Sequence, residues 1–366
     1  MTALSASRLE GLDLARALAV AGMLSAHVGP VGLETLGGQL YALPQGRASV
    51  LFMLLAGVGV SFLAASRRPR RGGAEAQLLW RAALLFLIGL GLQALEPDAI
   101  YVILPAYAAL FVLAIAMLRM PSPGLLAIAA LMLALGPAIF LHGQLTSPEV
   151  FDRSPVMPGL AAGEMLHRLV LSGPYPLVTW IVPFAVGMWL GRLDLRSTAV
   201  RRRLVVVGAV GTAGVLLASA GLQRALGVDA DDWGWNRLLV TQPHSQMLLW
   251  LAGSVLTAGA VLGLCLLLAD RARRWLWPLI ASGQLALTFY VTHLLVLWLL
   301  RETLESSGLG DHVMDSPAIA TALTLLAMAA FAAFAVLWRS RFHRGPLESL
   351  LFLPWIAGRQ GRDRPR

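Results

Sequence analysis

The sequence predicts an all-α, polytopic membrane protein of about ten transmembrane helices with both termini in the cytoplasm, and three observations carry that expectation. Of its 366 residues, 57% are hydrophobic and 13% charged, with a mean hydropathy of +0.71. That is far more apolar than a soluble globular domain. Apolar windows of about 17–25 residues recur along the whole chain, the length that crosses a bilayer core of about 30 Å. The arginines alternate: Arg47, Arg153, Arg168, Arg224, Arg237 and Arg301 fall in one set of loops, and the other 23 of the 29 basic residues fall in the opposite set. Cytoplasmic loops carry such an excess, which orients the chain.

The ten segments lie at 12–30, 47–65, 79–95, 100–118, 124–141, 175–191, 203–221, 247–268, 277–300 and 316–338. The first, GLDLARALAVAGMLSAHVGP, carries Asp13, Arg16 and His27. Ionisable groups facing lipid are costly, so these three are expected to face protein or a wet cavity. Arg16 and His27 are eleven residues apart, about three turns and roughly 16 Å on one helical face. Arg8 ahead of this segment imitates a signal peptide, but the charges at Asp13 and Arg16 interrupt the apolar stretch a cleaved signal needs. In the second segment Gly57 and Gly59 offer a close-packing face. A short acidic turn at Glu96, Pro97 and Asp98 makes the third and fourth segments an antiparallel pair, and Pro105 is expected to kink the fourth between Tyr101 and Tyr107.

Residues 142–174 form the longest outer connection, expected to cover the outer face as a lid or as a short surface helix around Glu164, His167 and Arg168. The sixth segment contains Pro176 and Pro183, and a second outer loop, 222–246, carries Asp229, Asp231, Asp232 and two tryptophans before His244. The ninth rises from Trp277, which puts His293 about 24 Å along it at 1.5 Å per residue. After the membrane domain, 1–338, comes a basic cytoplasmic tail, 339–366, in which FHRGPLESLLFLPW is amphipathic enough to lie at the interface. The net charge of +9 sits in short loops bordering apolar spans. It reads as topology and lipid contact, with no nucleic-acid partner. Cys265 is the single cysteine, so the chain makes no internal disulfide.

Depth sorts the polar residues. His27, Arg47, Tyr101, His142, Tyr175, His244 and His293 share the outer level, and Tyr290 lies on the His293 face with Ala286. Histidine suits proton removal from a hydroxyl or amine near neutral pH, so His27, His244 and His293 are the catalytic candidates. The tyrosines Tyr101, Tyr107, Tyr175 and Tyr290 are candidates for binding a substrate. Three imidazoles can hold zinc, but there is no HExxH spacing and no evident carboxylate beside them, and no metal is expected. No GxSxG element supports a serine hydrolase. Asp13 and Arg16 either pair with each other or meet a phosphate-bearing donor, as arginine geometry favours.

Several stretches in order, RLEGLDLARALAVAGMLSAH, GRASVLFMLLAGVGVSF, RAALLFLIGLGL followed by IYVILPAYAALFVLA, GPYPLVTWIVPFAVGMWLGRLDL, PHS, PLIASGQLALTFYVTHLLV and RGPLE, resemble bacterial membrane proteins related to heparan-alpha-glucosaminide N-acetyltransferase, including the YeiB-type group. The resemblance covers nearly the whole chain. It implies a multi-helix acyltransferase of the cell membrane that takes an acyl group, acetyl above all, from cytoplasmic acetyl-CoA or another acyl-CoA and delivers it to a hydroxyl or amine, on a glycan or other small acceptor, at the outer face. The Arg16 to His27 spacing is also similar to that in membrane acyltransferases that O-acetylate surface polysaccharides. On that match His27 is the general base or acyl-handling residue, and Arg16 a structural or donor-side group; Arg16, Asp13 and Arg47 are the candidates for binding the cofactor. Residues 28–46 contain no histidine, so the lumenal-loop histidine of the lysosomal enzyme has no counterpart there. Lipids are the surrounding partner, and a homodimer stays open. A transporter of a small or anionic solute is the competing class, in which the same buried charges handle protons or the solute.

Overall fold

A computed structural model describes residues 8–29, 36–65, 73–95, 100–228, 234–307 and 317–353. The arginine run at 67–71, the turn at 96–98, the aspartates at 229–232 and the end of the tail from 354 lie outside the described residues. Those described are mostly helical, with no strand among them. The chain is an all-α multi-pass membrane protein. Its helices are α1 (Glu10–Val28), α2 (Leu36–Ala42), α3 (Arg47–Ala65), α4 (Gly73–Leu95), α5 (Leu104–Met117), α6 (Ser122–Thr146), α7 (Ala162–His167), α8 (Leu177–Leu190), α9 (Thr198–Leu226), α10 (Leu248–Arg271), α11 (Arg273–Gln284), α12 (Ala286–Ser307), α13 (Pro317–Arg341) and α14 (Pro346–Leu350).

Among the described residues seven helical stretches are long and apolar enough to cross a membrane, and two bent pairs, α7 with α8 and α11 with α12, bring the number to nine. Helix α5, at 14 residues, is shorter but apolar throughout. A helix thus occupies each of the ten predicted segments. The α2–α3 stretch lies at the centre, with 78% of its apolar window buried by neighbours, whereas only 11% of that of α9 is buried. Helix α9 therefore presents Val206, Val207, Val210 and Leu217 outward, as a lipid-facing helix does.

Three local expectations are corrected. Pro105 stands in the first turn of α5, where its missing N–H breaks no bond; it opens the helix rather than kinking it, and Tyr101 precedes the helix. Gly57 is a packing glycine, since a Cβ there would meet the α8 backbone at Phe184 and Met188, but Gly59 borders open space beside Arg16. The ninth segment is not one straight helix, because α11 and α12 meet at Leu285 with a bend of 74°. The rise from Trp277 to His293 is therefore not that of a single axis. Short helices also appear where predicted and where not. Glu164 of α7 pairs with Arg168, just past the helix end, at 2.6 Å, while α2 lies between the first two predicted segments and bonds back through the Tyr41 hydroxyl to the Ser25 carbonyl.

Helix α1 packs against α3, α10, α11, α12 and α13. Its approach to α11 is backbone to backbone, because a side chain at Gly283 would collide with the Asp13 carbonyl. Small residues at such crossings let helices close without a hydrophobic driving force from water. The tail is not free either: α14 docks on α12, and Trp80 Nε1 donates to the Leu350 carbonyl at 2.9 Å.

Candidate functional site

The buried carboxylate of Asp13 organises the first turns of α1. It accepts from Arg8 Nε at 2.6 Å and Arg8 Nη2 at 2.8 Å, and from Arg16 Nη1 at 2.8 Å. Pairing offsets the cost of burying the carboxylate's charge. Both of its oxygens are engaged, and it is the two arginines that border a cavity of about 270 Å³. Arg81 and Gln284 join them at its polar end with Glu348, while Phe52, Leu55, Leu85, Leu104, Tyr107 and Phe111 form an apolar wall. Gln284 Oε1 is buried there with no hydrogen-bond partner. Three guanidinium groups around an apolar slot suit a ligand with an anionic head and an uncharged arm. The two readings of Asp13 and Arg16 are thus compatible, since Arg16 pairs with Asp13 and still borders the cavity.

A second cavity, about 380 Å³, opens at the other end of α1. His27 lines it with Gln45, Ser49, Tyr101, Asp152, Arg153, Tyr175 and His244. Arg153 donates to the His244 carbonyl at 2.8 Å, and its Nε is buried without a partner. Tyr175 donates to the Tyr101 carbonyl at 3.2 Å. Burial, with Arg153 adding repulsion, pushes the His244 imidazole down to about 4, so it is neutral at physiological pH. Among the described residues, the non-glycine positions with left-handed backbone are Arg153, His244 and Gln246. Arg153 and His244 line this cavity, and Gln246 fixes the same loop through Trp180 and Pro174, at 2.9 Å each. Strained backbone of this kind persists where surrounding structure holds a site.

His293 does not line the second cavity but stands behind His27. Its Nδ1 lies 3.2 Å from the Phe289 carbonyl and its Nε2 lies 3.4 Å from His27 Nδ1. A carbonyl only accepts, so His293 Nδ1 carries the proton and Nε2 offers its lone pair. His27 Nδ1 must then be the donor, which leaves Nε2 as the basic nitrogen of His27. The rings stack with centroids 5.5 Å apart. Arg301 donates to the His27 carbonyl at 3.4 Å and fixes the end of α1 from α12.

An aromatic layer parts the two cavities. Phe52 stacks on Tyr290 at 5.9 Å and packs on Tyr107 at 5.1 Å, while Tyr290 meets His293 edge-on at 5.3 Å. The Tyr107 hydroxyl bonds the Phe52 carbonyl, and that of Tyr290 accepts from Ile103 N at 3.2 Å.

The sequence-selected residues therefore separate. His27, His244, Tyr101 and Tyr175 meet at one cavity, Arg16 and Tyr107 at the other, and Tyr290 and His293 lie between. Arg47 is brought to neither: it starts α3, donates to the Leu43 carbonyl at 3.3 Å and sits twelve residues, about 18 Å, from Gly59 at the arginine cavity. His142 stacks on Trp235, apart from the histidine pair. Among the described residues no group of three or more His, Cys, Asp or Glu is placed to hold a metal ion. Sequence reasoning missed Arg8, Arg81, Gln284 and Glu348 in the arginine cavity and Arg153 in the other. Arg81, a charge inside the apolar run LLWRAALL, was the visible signal among them.

Two family models match. Residues 188–352 match one described as "Protein of unknown function (DUF418)", and this region holds His244, His293 and Glu348. No curated protein matches the chain. Residues 8–224 match the model described as "Heparan-alpha-glucosaminide N-acetyltransferase, catalytic", which takes in Arg16, His27, Arg81 and Arg153. That match spans more than half of the chain, and the chain belongs to the heparan-alpha-glucosaminide N-acetyltransferase catalytic-domain family.

Proposed function

We propose that the protein is a membrane-bound acyltransferase that moves an acyl group, acetyl above all, from acyl-CoA in the arginine cavity to a hydroxyl or amine of a glycan or other small acceptor in the histidine cavity. The observation that carries this reading is the His27–His293 pair, which makes His27 Nε2 the basic nitrogen at a cavity opposite three arginines on the same helix bundle. Family membership supports the acetyl-transfer class.

In this reading Arg8, Arg16 and Arg81 hold the phosphates of the donor, and the uncharged arm runs along Leu55, Leu104 and Tyr107 towards the aromatic layer. The acceptor lies against His27, Tyr101 and Tyr175. His27 Nε2 takes the proton of the acceptor hydroxyl or amine as its oxygen or nitrogen attacks the thioester carbonyl. The carbon–sulfur bond breaks, the CoA thiolate leaves, and the proton held by His27 returns to it. His293 Nε2 steadies the imidazolium by accepting the Nδ1 proton in a hydrogen bond. The alternating arginines support an orientation with both termini and the arginine cavity on the cytoplasmic side, in the cell membrane.

The test is transfer across a sealed membrane. Proteoliposomes with [¹⁴C]acetyl-CoA on the arginine-cavity side and a panel of glycan and amine acceptors on the other should yield labelled acceptor and free thiol in equal amounts. Tight CoA binding with no acyl transfer to any acceptor would contradict the reading and favour a carrier.

A further inference from the structure

The RGPLE stretch of the tail has no role in the reaction proposed above. The structure places it at the break between α11 and α12. A helix that starts afresh at Ala286 leaves its first backbone N–H groups without acceptors inside the helix. Glu348 supplies them from sixty residues further on. Its Oε1 accepts from Leu287 N at 2.7 Å and Thr288 N at 3.0 Å, and its Oε2 accepts from the Thr288 hydroxyl at 2.7 Å. The Thr288 hydroxyl in turn accepts from Leu347 N at 3.2 Å. This is the reciprocal logic of a capping box, split between two distant segments.

The tail segment is itself held in place. The Phe352 ring packs against two guanidinium groups, Arg81 at 4.9 Å and Arg344 at 4.5 Å. Gly345 leaves room for the cap, since a Cβ there would push the Glu348 carboxylate aside. His293 follows Thr288 by five residues, about 7.5 Å along the axis. Its bond to His27 is already near the long limit for a hydrogen bond, so a small shift of the α12 start breaks it.

We propose that Glu348 is a positioning residue: it caps α12 from the tail and so holds His293 in register with His27. The inference rests on the transferase reading only for its effect on turnover.

The test uses the full chain in nanodiscs with ¹⁵N-labelled histidine rings, comparing wild type, Glu348→Ala and Glu348→Gln without substrate. The wild-type spectrum should show His27 and His293 protonated at Nδ1 and coupled through one hydrogen bond. In Glu348→Ala that coupling should be lost. Glu348→Gln should keep it, because the amide oxygen still accepts from the backbone and its NH₂ donates to the Thr288 hydroxyl. A cap that serves stability alone would lower the melting temperature of Glu348→Ala and leave the histidine spectrum as in wild type, and that result overturns the proposal. If Glu348→Ala does not fold, Thr288→Val decides: a weakened coupling supports the proposal and an unchanged one overturns it. Wild type that shows the coupling but transfers no acyl group contradicts the transferase reading and leaves the role of Glu348 standing.

Discussion

Nδ1 of His27 lies 3.4 Å from Nε2 of His293, joining the last turn of α1 to α12 across 266 residues of sequence. The Phe289 carbonyl behind His293 sets the direction of that bond and with it the tautomer of His27. Changing His293 to Ala should leave His27 in place but free to carry its proton on either nitrogen. Acyl transfer should fall by about 10²-fold, the low end of what loss of a general base removes. CoA binding, read by calorimetry, should not change. A drop in CoA affinity with the turnover of bound donor intact would place His293 on the donor side instead.

Arg16 should fail differently. Its guanidinium borders the donor cavity, and Asp13 keeps Arg8 when it is removed. Arg16→Ala should weaken CoA binding by about 1.5–3 kcal/mol, one hydrogen bond to a charged group. The rate at saturating donor should stay near wild type. Unchanged CoA affinity in Arg16→Ala would reduce Arg16 to a partner of Asp13.

His244 makes a pH prediction. The unfolded chain titrates this residue near 6.5, and burial with the nearby Arg153 pushes the folded value down to about 4. Above pH 7 both states are neutral at this site, and its contribution to stability is complete. As pH falls through 6.5 the unfolded chain gains a proton that the folded chain refuses, so stability is lost progressively down to pH 4, by about 3 kcal/mol in all. The melting temperature of His244→Gln should therefore run parallel to wild type above pH 7 and decline less steeply below it. Parallel curves throughout would contradict a buried neutral imidazole.

What was legible in the sequence follows from which forces act locally. Apolar length acts residue by residue, so a helix lies at each of the ten segments, and the charges in α1 set it apart from a plain anchor. Facing histidines on α1 and α12 could be anticipated from depth alone. The break at Leu285 could not, because the flanking segments are as apolar as an unbroken span; its trace was the polar Ser282-Gly283-Gln284 run after Pro278. Glu348 was hidden for another reason. A cap usually comes from within a few residues of its helix, and this one comes from a tail whose amphipathic pattern fits a surface helix equally well. Arg47 was read at the outer level, and α3 does begin there, but depth does not say which way a side chain turns, and Arg47 borders neither cavity.

The assignment of His27 as the base is tested most directly by single-turnover acyl transfer in purified His27→Ala protein, with CoA binding measured on the same sample. The account predicts a rate lower by 10²–10⁴-fold with donor affinity unchanged, since His27 lies at the far end of α1 from the arginine cavity. Transfer at the wild-type rate in His27→Ala would contradict it and move the chemistry to His244 or His293.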